Sequence, residues 1–238
     1  MIFDQAEFNL RCEWGPQGVT QLAAFSDVVV IVDVLSFSTC VDIATSRGAI
    51  VFPYRWQAES AAAYAAHMAA ELASRDRTAQ YSLSPASLQT ISAGTRLVLP
   101  SPNGSTLTRQ TGKTPTLTGC FRNCAAIAAG AQTLGTNIAV IPAGERWADG
   151  SLRPAWEDWI GAGAILSQLP GTRSPEAEAA IVAFLQVQAQ LTDVIYRCSS
   201  GKELIARGFM EDVRLASQLN ISQNCPRLKD GAYRSYST

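Results

Sequence analysis

The stretch that most constrains this chain is residues 28–33, where five consecutive Val or Ile residues run into Asp33 and the hydroxyl residues Ser36, Ser38 and Thr39 follow at once. A strand that is apolar at every position, not at alternate ones, has both faces covered, as parallel strands between helices do. An Asp at its end, with a helix start just beyond, sets a carboxylate beside unpaired N–H groups that suit an anion such as phosphate. Open α/β sheets bind ligands at the carboxyl ends of their strands. The segment therefore predicts the floor of an active site for a phosphorylated small molecule.

The rest of the chain supplies more of the same pattern. Residues 38–47 form a short helical pattern closed by Gly48. Residues 49–54, 96–100, 116–118 and 137–142 are strand-like, and helical patterns occupy 57–74, 121–134 and 154–168. Strand and helix alternate through 28–168, which predicts an α/β fold, a largely parallel sheet with helices on both faces. Residues 174–197 and 200–220, the second broken at Gly208, give a mostly helical C-terminal part over 170–220 of a single domain, 1–238. Residues 1–26 read as a short strand or two, with turns at Gly15-Pro16 and Gly18. Residues 75–94 are polar and without period.

Composition excludes several classes of function. A net charge of −1 with 16% charged residues offers no broad electrostatic grip on nucleic acid or an anionic membrane. No uninterrupted apolar run approaches the roughly 18 residues of a membrane span. The N-terminal MIFDQAEFNLRCEW lacks the basic start and apolar centre of a signal peptide, so the expected address is cytoplasmic. Six cysteines without a CxxC pair, and one histidine, His67, make no zinc pattern. Reduced, mostly buried thiols are expected.

Three strand ends carry polar or turn-forming residues: Asp33 with Ser36, Ser38 and Thr39; the run 101–106, with Asn103, Gly104 and Ser105; and Gly144-Glu145-Arg146. In a parallel sheet these converge on one edge. Glu157 and Asp158, early in the 154–168 helix, add carboxylates, of which at most one points into a shared site. Two or three carboxylates with an arginine suit magnesium-assisted phosphoryl transfer, because magnesium takes oxygen ligands and arginine grips phosphate through two N–H groups. The same residues would serve equally as caps, turns and surface ion pairs, and they alone leave the two readings open.

Other phosphatase chemistries lack their residues. An aspartyl-nucleophile site, DxDx[TV], would need Asp where Leu35 stands, and a CxxxxxR loop fails because Arg47 lies seven positions after Cys40. No RHG exists for a histidine phosphatase, and His67 sits within an Ala-rich helix. Gly161-Ala162-Gly163 lies inside a helix and reads as close packing rather than a dinucleotide loop.

Asp33-Val34-Leu35 with Ser38-Thr39, then Ser101-Pro102-Asn103-Gly104-Ser105, then Gly144-Glu145-Arg146 with Glu157-Asp158 and Gly161-Ala162-Gly163, form an ordered series. With Ser84-Pro85 and the tail Leu228-Lys229-Asp230-Gly231, it resembles the 2-phosphosulfolactate phosphatase family over roughly residues 25–232. The resemblance implies a magnesium-dependent acid phosphatase that converts 2-phospho-3-sulfolactate to 3-sulfolactate, a step of coenzyme M biosynthesis, on an α/β fold of its own kind. One departure stands out: Ser36 occupies a position where the family pattern carries Arg, and Ser has neither the charge nor the fork geometry.

The expected arrangement follows. Mg2+ binds through Asp33 and a second carboxylate, Glu145 or Asp158; Ser38, Thr39, Asn103, Gly104 and Ser105 hold phosphate oxygens; Arg146 stabilises developing charge. The partner is a small phosphorylated acid, sulfonated in the substrate that the resemblance implies. Alternatives are a different phosphorylated acid, or a protein that binds such a metabolite without turnover. The 174–220 helices offer a surface for a homo-oligomer.

Overall fold

In the computed structural model, which describes residues 2–55 and 58–236, strands and helices alternate from the start. The strands are β1 (Leu10–Cys12), β2 (Val28–Val32), β3 (Ile50–Tyr54), β4 (Glu71–Leu72), β5 (Arg96–Pro100), β6 (Thr116–Gly119) and β7 (Ile138–Pro142). Between them lie helices α1 (Gly15–Leu22), α2 (Phe37–Ser46), α3 (Ala58–His67), α4 (Gly104–Thr108) and α5 (Cys124–Gln132). A small hairpin, β8 (Glu145–Arg146) and β9 (Leu152–Arg153), precedes α6 (Trp156–Leu166). Helices α7 (Pro175–Val187), α8 (Leu191–Arg197), α9 (Ser199–Ala206) and α10 (Met210–Ala216) follow, and β10 (Cys225–Lys229) and β11 (Ala232–Tyr236) close the chain.

Strand β2 is central because every residue in it is apolar and both faces can be covered. Val28, Val30 and Val32 join Ile127 of α5, Ile165 of α6 and Phe184 of α7 in one core, while Val29 and Ile31 meet Val19, Leu22 and Leu107 on the other face. Strand β3 divides likewise: Val51 packs with Phe37, Val41 and Ala44 of α2, and Phe52 packs with Ala65 of α3. Helices thus cover both faces.

The main sheet runs β1-β7-β2-β6-β10-β11-β3-β5-β4, and five of its eight neighbouring pairs are parallel. The C-terminal hairpin β10–β11 is wedged antiparallel between β6 and β3. Strands β3, β5 and β4 therefore run opposite to β1, β7, β2 and β6. In a flat sheet the carboxyl ends of β2 and β5 would lie on opposite edges. They meet instead: the Gly104 N–H, just past β5, donates to Asp33 Oδ2 at 2.7 Å. Twist of about 20–25° per strand accumulates across a sheet of this width. The expected convergence of these strand ends is present, but across a mixed sheet and not on one parallel edge.

Three segments depart from the sequence expectation. Residues 15–22 form a helix in place of turns, with Gly15 at φ +56° and Pro16 in the first turn, where its missing N–H costs nothing. The Ala-rich helix stops at His67 instead of reaching 74, since Glu71 and Leu72 pair with β5 and that pairing overrides helix propensity; Gln57, expected in this helix, lies outside the described residues. The β10–β11 hairpin was not anticipated, although its turn, Asp230-Gly231 at φ +51° and +76°, is a hairpin signal.

Residues 175–197 run as a helical stretch of 23 residues with a hydropathy of 1.3, long and apolar enough by length and composition to cross a membrane, with 28% of the apolar window buried. A search for uninterrupted apolar runs passes over it. Ala177, Ala180, Ile181 and Phe184 pack into the core, and the fit with α6 is close. A Cβ on Gly163 would lie 2.0 Å from the Ala180 carbonyl oxygen, and one on Gly161 would lie 2.9 Å from Val34 Cγ2. Both glycines serve helix packing, as their place in the sequence implies.

Candidate active site

Asp33 follows β2 directly and is 4% exposed. Two helix starts hold its carboxylate: the Phe37 N–H of α2 donates to Oδ1 at 3.1 Å, and the Gly104 N–H of α4 donates to Oδ2 at 2.7 Å. The Ser101 hydroxyl approaches Oδ2 at 3.4 Å. Only glycine fits at 104, because a Cβ there would lie 2.4 Å from Phe37 Cδ1 and 2.8 Å from Asp33 Oδ2. Burial pushes the Asp33 carboxyl above its usual range, against these backbone N–H bonds and with the Glu157 charge adding to the rise.

Asp33 opens onto a cavity of about 240 Å³ also lined by Leu35, Ser36, Ser101, Pro102, Asn103 and Glu145, and by Arg75, Arg77, Leu83, Glu203 and Arg207. Glu145 stands at the start of the β8–β9 hairpin and accepts a 2.9 Å hydrogen bond from Asn103 Nδ2. Burial first, and the Asp33 charge second, push its carboxyl up to about 7. Asp158 is placed differently. Its Oδ1 accepts the Val34 N–H at 2.7 Å and its Oδ2 the Gly144 N–H at 2.9 Å, so it ties the ends of β2 and β7 together. Burial, then the charges of Asp33 and Glu157, hold its carboxyl well above the usual range. Glu157 is buried too and lies beside the Cys198 thiol, which burial and the Glu157 charge push up to about 12.

Several expected site residues do not reach the cavity. The Ser38 hydroxyl accepts the Asp33 N–H at 2.9 Å and lies 2.7 Å from Thr118 Oγ1; Thr39 donates to the Val34 carbonyl at 2.7 Å; Ser105 donates to the Leu99 carbonyl at 2.9 Å. A fully buried hydroxyl needs an internal partner, and strand-end carbonyls are the nearest. These three brace the loops that carry Asp33 and Gly104, and the Gly104 N–H is itself spent on Asp33. Arg146 is exposed and donates to the Gly150 carbonyl at 2.9 Å, closing its own hairpin. Asp158 and Glu157 line no part of the cavity.

The positive charge comes from elsewhere. Arg77 donates to Ser36 Oγ at 3.1 Å and to Asp212 Oδ2 at 2.8 Å, so a guanidinium stands beside the residue where the sequence pattern lacked one. Arg75 and Arg77 belong to the polar 75–94 stretch and Arg207 to the end of α9, none of which carries a motif. Sequence reasoning had no signal for them, since only the tertiary fold brings them to the β2 end.

Among the described residues no group of three or more His, Cys, Asp or Glu side chains is arranged to hold a metal ion. Asp158 does not line the cavity, whereas Asp33 and Glu145 do, and the third lining carboxylate, Glu203, is paired with Arg207. Two carboxylates lining one polar cavity, with the Asp33 charge raising the proton affinity of Glu145, fit magnesium in its usual form, with one or two protein carboxylates and the remainder water and phosphate. They do not fit a closed zinc site.

A family model described as 2-phosphosulpholactate phosphatase matches residues 16–231, which takes in every residue of this cavity. The chain belongs to that family. A protein of Methanothermobacter thermautotrophicus named 2-phosphosulfolactate phosphatase is 34% identical over 138 residues, and the aligned part is 58% of this chain and 58% of that relative. At the cavity, the Arg77 guanidinium donates to Ser36, the position where the sequence resemblance led one to expect an arginine.

Proposed function

We propose that this chain hydrolyses a phosphate monoester on a small anionic substrate, 2-phospho-3-sulfolactate in the first instance, with Mg2+ as cofactor. A water oxygen forms the new P–O bond, the ester P–O bond breaks, and 3-sulfolactate leaves with its 2-hydroxyl restored while phosphate is released. The observation that carries the reading is the pair Asp33 and Glu145, one buried and one half-buried carboxylate lining a cavity that three arginines also line. Asp33 and Glu145 hold the metal, which when bound neutralises charge on the phosphoryl oxygens. Asp33 serves this role better than that of a nucleophile, because N–H bonds on both its oxygens fix it and draw off electron density. Asn103 fixes Glu145 through one oxygen, and Ser36, Ser101 and Asn103 present polar groups to the bound ester. The braces Ser38, Thr39, Ser105 and Asp158 keep the two strand ends in register and touch no substrate.

Family membership and the named relative support the substrate class. A second reading, a different phosphorylated acid, is favoured by one feature: the charge beside position 36 arrives on Arg77, from another direction, and reshapes that end of the cavity. Phosphate release measured with 2-phospho-3-sulfolactate, 2-phospholactate and 3-phosphoglycerate, in magnesium and in EDTA, separates the two. Turnover of the first alone and only with magnesium supports the proposal. Turnover of the others in preference replaces the substrate, and undiminished turnover in EDTA removes the metal.

A further inference from the structure

We infer that Arg77 is the centre of a specificity subsite for the second anionic group of the substrate, a carboxylate or sulfonate, held apart from the phosphate end; this rests on the phosphatase reading above. The cavity's charged groups fall into two sets by their contacts: Asp33 and Glu145 are held by Ser101, Gly104 and Asn103, whereas Arg77 and Arg207 share the Phe209 ring, with Glu203 paired to Arg207. An ester that places its phosphate at Asp33 and Glu145 has the arginines left for a further anion.

Arg77 is not a loose surface cation. Its side chain is 12% exposed and its partner Asp212 is 1% exposed. Asp212 is itself fixed, accepting from Ser84 Oγ at 2.6 Å and the Ala86 N–H at 3.0 Å on Oδ1, which leaves Oδ2 for Arg77. The guanidinium also lies 5.5 Å from the Phe209 ring centroid, and that of Arg207 lies 5.8 Å from the same ring. Burying an ion pair costs desolvation that its own attraction seldom returns in full. Bringing a second guanidinium to the same aromatic ring adds repulsion, which the exposed 3.2 Å Arg207–Glu203 pair does little to offset. Such an arrangement is favoured when an anion enters between the cations. Of five N–H donors on Arg77, one goes to Asp212 and one to Ser36, and a planar fork suits a carboxylate or sulfonate.

Two measurements test this. The first is KM and kcat for 2-phospho-3-sulfolactate and for p-nitrophenyl phosphate, which has no second anion, in wild type, Arg77→Gln, and Arg77→Ala combined with Asp212→Asn. The double variant removes the guanidinium without leaving a buried carboxylate unpaired. Loss of a charge-assisted contact predicts a KM about 10- to 100-fold higher for the sulfonated ester in both variants, with kcat within about 3-fold and p-nitrophenyl phosphate unaffected. An equal rise for both esters would assign Arg77 to the phosphate and overturn the proposal. The second is thermal stabilisation by 3-sulfolactate and, separately, by lactate, which needs no turnover. Stabilisation of wild type but of neither variant supports the subsite, and the more effective ligand names the anion. No effect on wild type, or equal effects on all three proteins, overturns it. Failure of wild type to release phosphate from any ester would count against the phosphatase reading alone, with the thermal shift still deciding the subsite.

Discussion

Gly104→Ala is the most informative single change, because two opposing effects act on one atom. Residue 104 opens helix α4, and in an exposed helix interior alanine would stabilise by about 1 kcal/mol over glycine. Here the added Cβ would lie 2.4 Å from Phe37 Cδ1, 2.9 Å from Phe37 Cγ and 2.8 Å from Asp33 Oδ2. Phe37 cannot give way easily: it is fully buried and meets the Tyr233 ring edge-on at 6.1 Å, and Tyr233 is itself held 2.9 Å from Thr108 Oγ1. Relief must come from moving α4 off Asp33, which sacrifices the 2.7 Å bond to the carboxylate. Overpacking costs about 1–3 kcal/mol and loss of a hydrogen bond to a charged group about 1.5–3 kcal/mol, so the net destabilisation is about 1.5–5 kcal/mol after the propensity gain. For a chain of this size that lowers Tm by about 5–15 °C. Urea unfolding should show a lower midpoint at unchanged m-value, and phosphate release should fall with it. A Tm within about 2 °C of wild type and full activity would refute the placement of α4 against Asp33.

Two further expectations are simpler. Glu145, whose carboxyl burial raises from 4.5 to about 7, is harder to ionise in the folded state. Its contribution to stability is complete below about pH 4.5 and lost as pH rises through about 7, amounting to about 3 kcal/mol at about 1.4 kcal/mol per unit. Asp33 and Asp158 shift in the same direction. In EDTA the urea midpoint should therefore fall between pH 5 and pH 8, and magnesium should restore more of it at pH 8; a midpoint that climbs with pH would contradict the electrostatics. Arg146→Ala removes an exposed guanidinium bonded only, among the contacts described, to the Gly150 carbonyl, so stability should change by no more than about 0.5 kcal/mol and kcat/KM by less than about 3-fold; a 100-fold loss would return Arg146 to the site.

Much of the architecture was legible because it depends on local pattern. The all-apolar run of β2 announces coverage on both faces, and Gly48 and Gly208 mark helix ends where a positive φ is needed. Asp33, Asn103 and Glu145 were legible as strand-end polar residues, and all three line the cavity. The hydroxyls are placed away from the cavity for a physical reason. Ser38, Thr39 and Ser105 look from sequence like phosphate ligands, but at full burial they must satisfy themselves on the backbone. Asp158 shows the same limit: adjacency to Glu157 says that at most one of the two points into a shared site, whereas both are buried and neither lines the cavity. The cavity's arginines were beyond reach. Arg77 sits 44 positions from Asp33 in a stretch without period, and its contact with Asp212 spans 135 residues.

The central claim is that Asp33, gripped by two helix N-termini, organises phosphate-ester hydrolysis. Its most direct test is release of phosphate from 2-phospho-3-sulfolactate, with magnesium, by wild type and Asp33→Asn, folding being checked by circular dichroism. The account predicts turnover by wild type and a loss of at least about 100-fold in kcat for a folded Asp33→Asn, in line with several kcal/mol of charge stabilisation. Near-normal turnover by that variant would contradict it.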